Sequence, residues 1–326
     1  AVAQASSSVA ADYKSGLIRG GTVIDMTGGL GVDTYFFSRS ADRVIYLEKE
    51  RELADSAAHN FIRLKVNNVK VIHEECMSYI RKTREKVDCI YIDPSRRRGS
   101  RRVFRIEEAE PDAGAVYLEL LEQAGKVIIK LSPFLDIRYL IEKFQYISRI
   151  HVVAIDQECR EILLVLDREE GSGDPEVVTW SKEKDKTQEF ISSLGENEMF
   201  CGYDLPGDFI YDPNVAIRKA GLFNVVGNRF KLKKLAPNSH LYTGNTSVED
   251  FPGRSFNLIQ TLTFKEFLKT KSIKRASIAT RNFRLKAEDI RKRTGIGEGG
   301  DTFIFCTTNM ENEPLVLVTH RNDIKK

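Results

Sequence analysis

"RIHVVAIDQECREILLVLD", Arg149–Asp167, holds two apolar runs, "RIHVVAID" and "EILLVLD", separated only by Gln157–Arg160. Parallel strands need a crossover of about a dozen residues, so a gap this short makes the two runs an antiparallel hairpin. Ahead of the hairpin, apolar runs alternate with helical patterns at close spacing, the mark of a parallel sheet wrapped by crossover helices. Strands are expected at Thr22–Met26, Arg43–Leu47, Val69–Ile72, Val87–Ile92 and Lys126–Leu131. Helices are expected at Val32–Ser40, Arg51–Leu64, Ala115–Gln123 and Ile137–Tyr146. Five parallel strands closed by an antiparallel hairpin make a Rossmann-like, seven-stranded α/β sheet. A dinucleotide-binding Rossmann domain continues with further parallel units instead.

Past the hairpin, "DREEGSGDPE" (Asp167–Glu176) is polar and turn-rich, which places a domain boundary there, with a first domain over 1–170 and a second over 171–326. In the second, "DPNVAIRKAGL" reads as a helix with Pro213 near its start. Strand-like runs follow at Ser255–Leu262, Arg275–Arg281, Thr302–Thr307 and Leu315–His320, and "KAEDIRKRTG" is a helix stopped by Gly295. This is a smaller α+β domain.

The chain has 326 residues, 41% of them hydrophobic, enough to bury the core of about two domains. No apolar run approaches the ~18 residues of a membrane span. The opening "AVAQASSSVA" lacks the basic start and apolar run of a secretion signal. Five cysteines without CxxC spacing argue for free thiols in a reducing compartment, the cytoplasm, and against a zinc site. The five histidines show no metal spacing either. Net charge is only +3, but its distribution is uneven: up to Glu170 there are 26 basic and 27 acidic residues, whereas Phe209–Arg293 holds 18 basic against 6 acidic. A local excess of this size points to a polyanion partner, nucleic acid above all, against the plainer reading of a solvated lysine-rich face.

"VIDMTGGLGVD" puts Asp25 at the end of the first strand, then Thr27, Gly28, Gly29 and Gly31, and Asp33 at the start of a helix. Glycines in such a turn let backbone amides approach a ligand at the positive end of the helix. The second strand ends at Glu48-Lys49, seventeen residues past Gly31, where a carboxylate can accept both hydroxyls of a ribose. The third is followed by Glu75-Cys76, where an acid can accept an exocyclic adenine amine and the thiol packs beside it. Acids at the ends of three successive strands converge on the sheet edge where open α/β proteins bind ligands. Asp25 and Asp33 would repel a pyrophosphate and favour a cofactor with an amine and a sulfonium.

On these motifs residues 12–167 resemble a class I S-adenosylmethionine-dependent methyltransferase, with Asp25–Asp33 as its first motif. "DMTGGLGVDTYFFS", "DPSRRRGSRRVFR", "VIIKLSPFLDI", "ECREILLVLD", "YDPNVAIRKAG" and "RASIATRNFRLKAEDIRKRTGIGEGG" extend the resemblance over nearly the whole chain. Together they resemble the bacterial methyltransferases with a THUMP-like C-terminal domain. The resemblance implies S-adenosylmethionine as cofactor, bound by Asp25, Thr27, Gly28, Gly29, Gly31, Asp33, Glu48, Lys49, Glu75, Cys76 and Asp93, and an RNA target; the spacing and run lengths above add neither a metal nor a membrane. Asp93-Pro94-Ser95-Arg96 occupies the place after the fourth strand where amino-methylating relatives carry Asn/Asp-Pro-Pro and an aromatic. Ser95 and Arg96 depart from that pattern. A guanidinium plane can still stack on a base, and Asp93 can still accept an N–H, so the catalytic set is Asp93, Pro94 and Arg96.

Six of the ten residues from Arg96 to Arg105 are arginine. Arg97, Arg98, Arg101 and Arg102 are expected to hold substrate phosphates; the alternative is pairing with Glu107, Glu108, Glu110 and Asp112. Cys89, inside the fourth strand, reads as a buried hydrophobe, and no Pro-Cys pair follows that strand. Three functions stay open: methylation of an rRNA or tRNA base nitrogen, methylation of a protein or anionic small molecule, or nucleic-acid binding without catalysis.

Overall fold

The hairpin forms as read, with an even shorter turn. In the computed structural model its strands are Ile147–Ile155 and Glu158–Leu166, joined by Asp156 and Gln157. Both turn residues have positive φ, 50° and 62°, the two-residue geometry whose twist matches the flanking strands. The structure describes residues 6–83, 85–95 and 106–322, with the backbone alone at 97–98 and 101–102. The chain divides into two units, 1–185 and 186–326.

The first unit runs α1 (Ser8–Ser15), β1 (Thr22–Asp25), α2 (Val32–Phe37), β2 (Arg43–Glu48), α3 (Arg51–Arg63), β3 (Val69–His73), α4 (Cys76–Lys82) and β4 (Val87–Ile92). It continues through α5 (Ala113–Gln123), β5 (Ala124–Leu131), α6 (Ile137–Lys143) and the hairpin strands β6 (Ile147–Ile155) and β7 (Glu158–Leu166), to β8 (Glu176–Glu183). These strands lie in the order β8-β6-β7-β5-β4-β1-β2-β3. β7 pairs antiparallel with both β5 and β6. Ile150, Val152, Val153, Ile162, Leu163 and Leu164 are fully buried, which is why the hairpin reads as continuous apolar runs rather than alternation.

Two expectations need correction. The sheet of this unit has an eighth strand, because β8 adds in parallel to β6 with Val178 opposite His151. The expected boundary near residue 170 therefore falls inside the first unit. The polar run there is turn chemistry: Asp167 accepts the amides of Glu169 and Glu170, and the Gly171 amide donates to the Asp167 carbonyl at 2.8 Å. An Asp-initiated turn has the same composition as a linker.

α1 went unpredicted. Ser7 caps it by accepting from the Ala10 amide. Tyr13 then ties it to the sheet through a 2.8 Å hydrogen bond with His151 Nδ1 and a tilted contact with Trp180. These contacts hold Lys14 against the inner face of the unit, where it is 1% exposed.

The second unit contains β9 (Lys186–Ser193), β10 (Phe209–Pro213), α7 (Val215–Ala220), α8 (Phe223–Arg229), β11 (Lys233–Lys234), β12 (Tyr242–Gly244) and β13 (Gly253–Thr263). α9 (Phe264–Lys269), β14 (Ser277–Thr280), α10 (Ala287–Thr294), β15 (Thr302–Thr308) and β16 (Pro314–Arg321) complete it. Seven strands form one sheet in the order β11-β12-β10-β13-β16-β15-β14, all antiparallel except the β14–β15 pair. One apolar cluster packs α9 and α10 on this sheet through Phe264, Phe267 and Ile290. Among the described residues no helix is long and apolar enough to cross a membrane.

Candidate active site

The carboxyl ends of β1, β2, β3 and β4 surround a cavity of about 520 Å³. Asp25, Thr27, Gly28, Gly29, Asp33, Glu48, Lys49, Glu75, Cys76 and Asp93 all line it, so ten of the residues expected at the cofactor come together. Gly31 turns the chain behind the wall instead. Its φ of 77° suits glycine, and a Cβ there would lie 2.8 Å from the Phe61 ring.

The glycine turn is knotted to the protein. The amides of Thr27, Gly28, Gly29 and Gly31 donate to Asp25 Oδ1, the Leu47 carbonyl, Glu48 Oε2 and the Gly28 carbonyl, at 3.1, 3.0, 2.9 and 2.8 Å. The expected cradle of amides for a ligand is thus spent on internal oxygens, which leaves little to hold a pyrophosphate. Tyr46, wholly buried, donates to the Gly29 carbonyl at 2.6 Å, and its ring fills the space a Cβ at position 28 would need. Only glycine lets the turn lie this close to β2.

Charge settles what the cavity accepts. Among the described residues its wall carries eight carboxylates (Asp25, Asp33, Glu48, Glu50, Glu74, Glu75, Asp93 and Glu110) and one lysine, Lys49. Such a wall fits a ligand with cationic groups, as the ammonium and sulfonium of S-adenosylmethionine provide, and opposes a polyphosphate. Glu48 is held by the Gly29 and Glu50 amides, both at 2.9 Å, one to each oxygen, and each oxygen keeps a second lone pair. Glu75 caps α4, accepting the Met77 and Ser78 amides at 3.0 and 2.7 Å. Burial and the neighbouring Glu75 push the Cys76 thiol up to about 12, so it packs as a neutral group.

Asp25 is 1% exposed and turned inward, bonded by the Thr34 hydroxyl at 2.5 Å. Burial pushes its carboxyl up to about 7, against the Thr34 hydrogen bond and with help from Asp33. Its contacts make it the brace of the turn. Asp33 receives Lys14, Ser6 and Tyr91, at 2.9 Å each. Burial raises it, but Lys14 and Lys130 outweigh burial and hold it below the ordinary carboxylate value.

Behind the cavity wall runs a charge cluster, largely buried, that sequence reasoning missed. Lys14 from α1 reaches Asp33 and, at 3.3 Å, Glu161 of β7. Lys130 of β5 reaches Asp93 Oδ2 at 2.5 Å. Burial alone would lower the Lys130 ammonium, yet Asp93, Glu161 and Asp33 together hold it above its usual value. The Asp93 amide donates to the Thr27 hydroxyl at 2.7 Å. Asp93 is thereby fixed from both ends, with its side chain 34% exposed at the mouth of the cavity. One signal lay in "VIIKLSP", a lysine inside an otherwise apolar strand.

Pro94 is buried in the turn after β4 and is not among the residues of the cavity wall. Arg96 lies outside the described residues. Arg97 and Arg98 pair antiparallel with Arg102 and Arg101 through the backbone, and their side chains also lie outside the described residues. The base of this arginine loop is closed by Ser95 and Glu110, with a 2.8 Å bond from the Ser95 amide. Both of these residues line the cavity. Three of the four acids expected as internal partners have other contacts: Glu107 with Lys143 and Tyr139, Glu110 with Lys49, and Asp112 with the Ala115 amide.

Strand order, reversed hairpin strand and acid-walled cavity define a class I S-adenosylmethionine-dependent methyltransferase. Comparison with known proteins narrows the class. The crystal structure of a Porphyromonas gingivalis W83 protein assigned as a methyltransferase superposes with a TM-score of 0.91 at 33% identity, covering 99% of this chain and 82% of that one. The chain belongs to this family of bacterial methyltransferases with a THUMP-like C-terminal domain, and its cofactor is S-adenosylmethionine. Residues 253–321 match the family described as THUMP domain-like, 209–252 a ferredoxin-like domain, and 6–109 Conserved hypothetical protein 95. The THUMP-like region is thus the latter half of the second unit rather than all of it. An uncharacterized S-adenosylmethionine-dependent methyltransferase of Mycobacterium tuberculosis is 25% identical over 272 residues, 82% of this chain and 70% of that protein. The ribosomal RNA small subunit methyltransferase J of Francisella tularensis subsp. novicida is 28% identical over 81 residues, 22% of this chain and 34% of that enzyme.

Proposed function

We propose that the chain methylates a base nitrogen of RNA, held beside Asp93. The observation that carries this reading is the Asp93 carboxylate at the cavity mouth, gripped by Lys130 at 2.5 Å and by Thr27 through its amide. When bound, S-adenosylmethionine supplies an electrophilic methyl group on its sulfonium. Glu48 accepts the ribose hydroxyls, Glu75 and Cys76 border the adenine, and Asp25 braces the turn. Thr27, Gly28 and Gly29 form the floor, Asp33 and Asp93 favour the cationic end, and Lys49 closes the rim with Glu110.

Asp93 accepts an N–H of the target amine. That hydrogen bond localises the nitrogen lone pair and aims it at the methyl group. Placement is the main need of transfer to an amine, whose proton leaves to water once the new N–C bond forms. Lys130, held protonated, cannot itself take a proton, so the pair suits a nitrogen better than a hydroxyl, which needs a base. Arg96 takes the stacking place and Arg97, Arg98, Arg101 and Arg102 hold phosphates on the loop that Ser95 and Glu110 close.

Three features support RNA as the target: the match to a ribosomal RNA methyltransferase over 81 residues, the THUMP-like region, and 18 basic against 6 acidic residues over Phe209–Arg293. The first unit carries the transfer and the second binds RNA. The test is nucleoside mass spectrometry of RNA from cells with and without the protein. Loss of one N-methylated nucleoside is expected. Loss of a ribose-methylated one would overturn the nitrogen reading, and an unchanged RNA profile would overturn the RNA target.

A further inference from the structure

The motif "VIIKLSPFLDI" supplies Lys130, and the methyl transfer described so far uses nothing past it. β4 and β5 are parallel neighbours, with Ile92 beside Ile129. One step further along each chain stand Asp93 and Lys130, the pair joined at 2.5 Å. Four residues beyond Lys130 comes Phe134, which is 75% exposed. It is the most exposed large aromatic residue among those described in the first unit. Tyr139, the next, spends its hydroxyl on Glu107 at 2.8 Å.

The backbone holds Phe134 in this open position. Ser132 accepts the Leu135 amide on its carbonyl at 3.2 Å and the Phe134 amide on its hydroxyl at 3.3 Å. Pro133 takes the second place of that turn, where its fixed φ belongs. Asp136 then caps α6, accepting the Arg138 amide at 2.7 Å. An apolar ring is thus presented to water by a turn pinned at both ends, beside the strand end that carries Asp93. The cavity offers nothing of the kind: among the described residues its wall holds no aromatic ring. A base whose N–H sits on Asp93 has flat faces to cover when it leaves water. Four residues span at most about 14 Å, and the turn shortens that reach to a distance a base and a phenyl ring can bridge.

We propose that Phe134 binds the substrate, its ring stacking on the target base while Asp93 accepts the base N–H. It acts alongside Arg96, whose plane comes from the turn after β4. Stacking on an aromatic ring tolerates any base, because every base has a π-face. Phe134 therefore fixes the plane of the base, and Asp93 selects an N–H on its edge. This role rests on the function proposed above.

The test uses the full chain, RNA of cells lacking the protein, and the variants Phe134→Leu and Phe134→Tyr. The first keeps apolar bulk without a π-face, and the second keeps the ring. Phe134→Leu should lower kcat/KM for methyl transfer to RNA about tenfold or more, whereas Phe134→Tyr should stay within about threefold of wild type. RNA binding by Phe134→Leu should weaken with its log–log salt slope unchanged, because stacking releases no counterions. Tm and S-adenosylmethionine affinity should match wild type in both variants, since a ring this exposed supports neither. A Phe134→Leu variant as active as wild type would overturn the stacking role and leave RNA methylation standing. So would one that melts lower and loses cofactor affinity, which would make the ring a structural brace. A wild type that transfers no methyl group to RNA would overturn the proposed function itself, and this role with it.

Discussion

In the first unit two lysines stand among three carboxylates; in the second one carboxylate stands among three arginines. Lys14 and Lys130 neutralise two of Asp33, Glu161 and Asp93, leaving a net negative charge in a cluster of which Asp33 and Asp93 also belong to the acidic wall of the cavity. Asp212 neutralises one of Arg218, Arg254 and Arg281, leaving a net positive charge. Each cluster is built around a minority ion that is almost fully buried, Lys14 and Asp212 being 1% exposed each. In each, the minority ion sets the geometry of the groups around it.

The largest expected effect comes from removing a minority ion. Lys14→Met leaves Asp33 and Glu161 buried without their shared counter-charge and should cost about 3–5 kcal/mol of stability in urea unfolding. A loss below about 1 kcal/mol would mean that Lys14 is incidental to the acidic cluster.

Next comes the cavity wall. Glu48→Ala should weaken S-adenosylmethionine binding by roughly 2–4 kcal/mol in calorimetry, the worth of two charge-assisted hydrogen bonds. Unchanged affinity would remove Glu48 from the site.

A smaller effect is carried by pH. Asp25 keeps its proton in the folded protein up to about 7, while its ordinary value is 3.8. Between those values the folded state binds more protons than the unfolded one, so Asp25 makes stability fall as pH rises, by at most about 1.4 kcal/mol per pH unit. Asp25→Asn should remove that slope, read as the wild-type minus variant difference in urea midpoints across this window. A difference that stays flat would place the Asp25 carboxyl near its ordinary value and weaken the picture of an over-acidic cluster.

The finest test joins the arginine loop to the comparison. Arg97→Ala with Arg98→Ala should lower the salt slope of RNA binding by up to about one for each phosphate the loop no longer holds, and leave cofactor affinity unchanged. If the double variant instead melts lower with an unaltered slope, the loop pairs internally and the basic character of RNA binding belongs to the second unit alone.

How much of this was legible depended on where the residues lie along the chain. The hairpin was plain, because β6 and β7 are buried on both faces and read as apolar runs. β8 was not, because "EVVTWSKE" mixes polarity and follows a turn whose Asp and Gly residues have the composition of a linker. The acids Asp25 and Glu48 end a strand, Glu75 and Asp93 come just after one, and strand ends meet at one sheet edge, so position in sequence was enough to gather them. Lys14, Lys130 and Glu161 come from three elements far apart in sequence. Only the packing of α1 against the sheet and the pairing of β5 with β7 bring them together. The three arginines around Asp212 were counted within a general basic excess; that they converge on one carboxylate follows from the β10–β13 register and the return of the chain past β14.

The central claim is that Asp93 positions an RNA nitrogen for methylation rather than holding the protein or the RNA in place. Transfer of tritium from methyl-labelled S-adenosylmethionine to RNA of cells lacking the protein, with purified wild type and Asp93→Ala compared, tests it directly. Incorporation by wild type and none by the variant, with RNA binding by the two proteins within about twofold, is the predicted result. Equal incorporation by both proteins, or labelling of protein and not RNA, would contradict it.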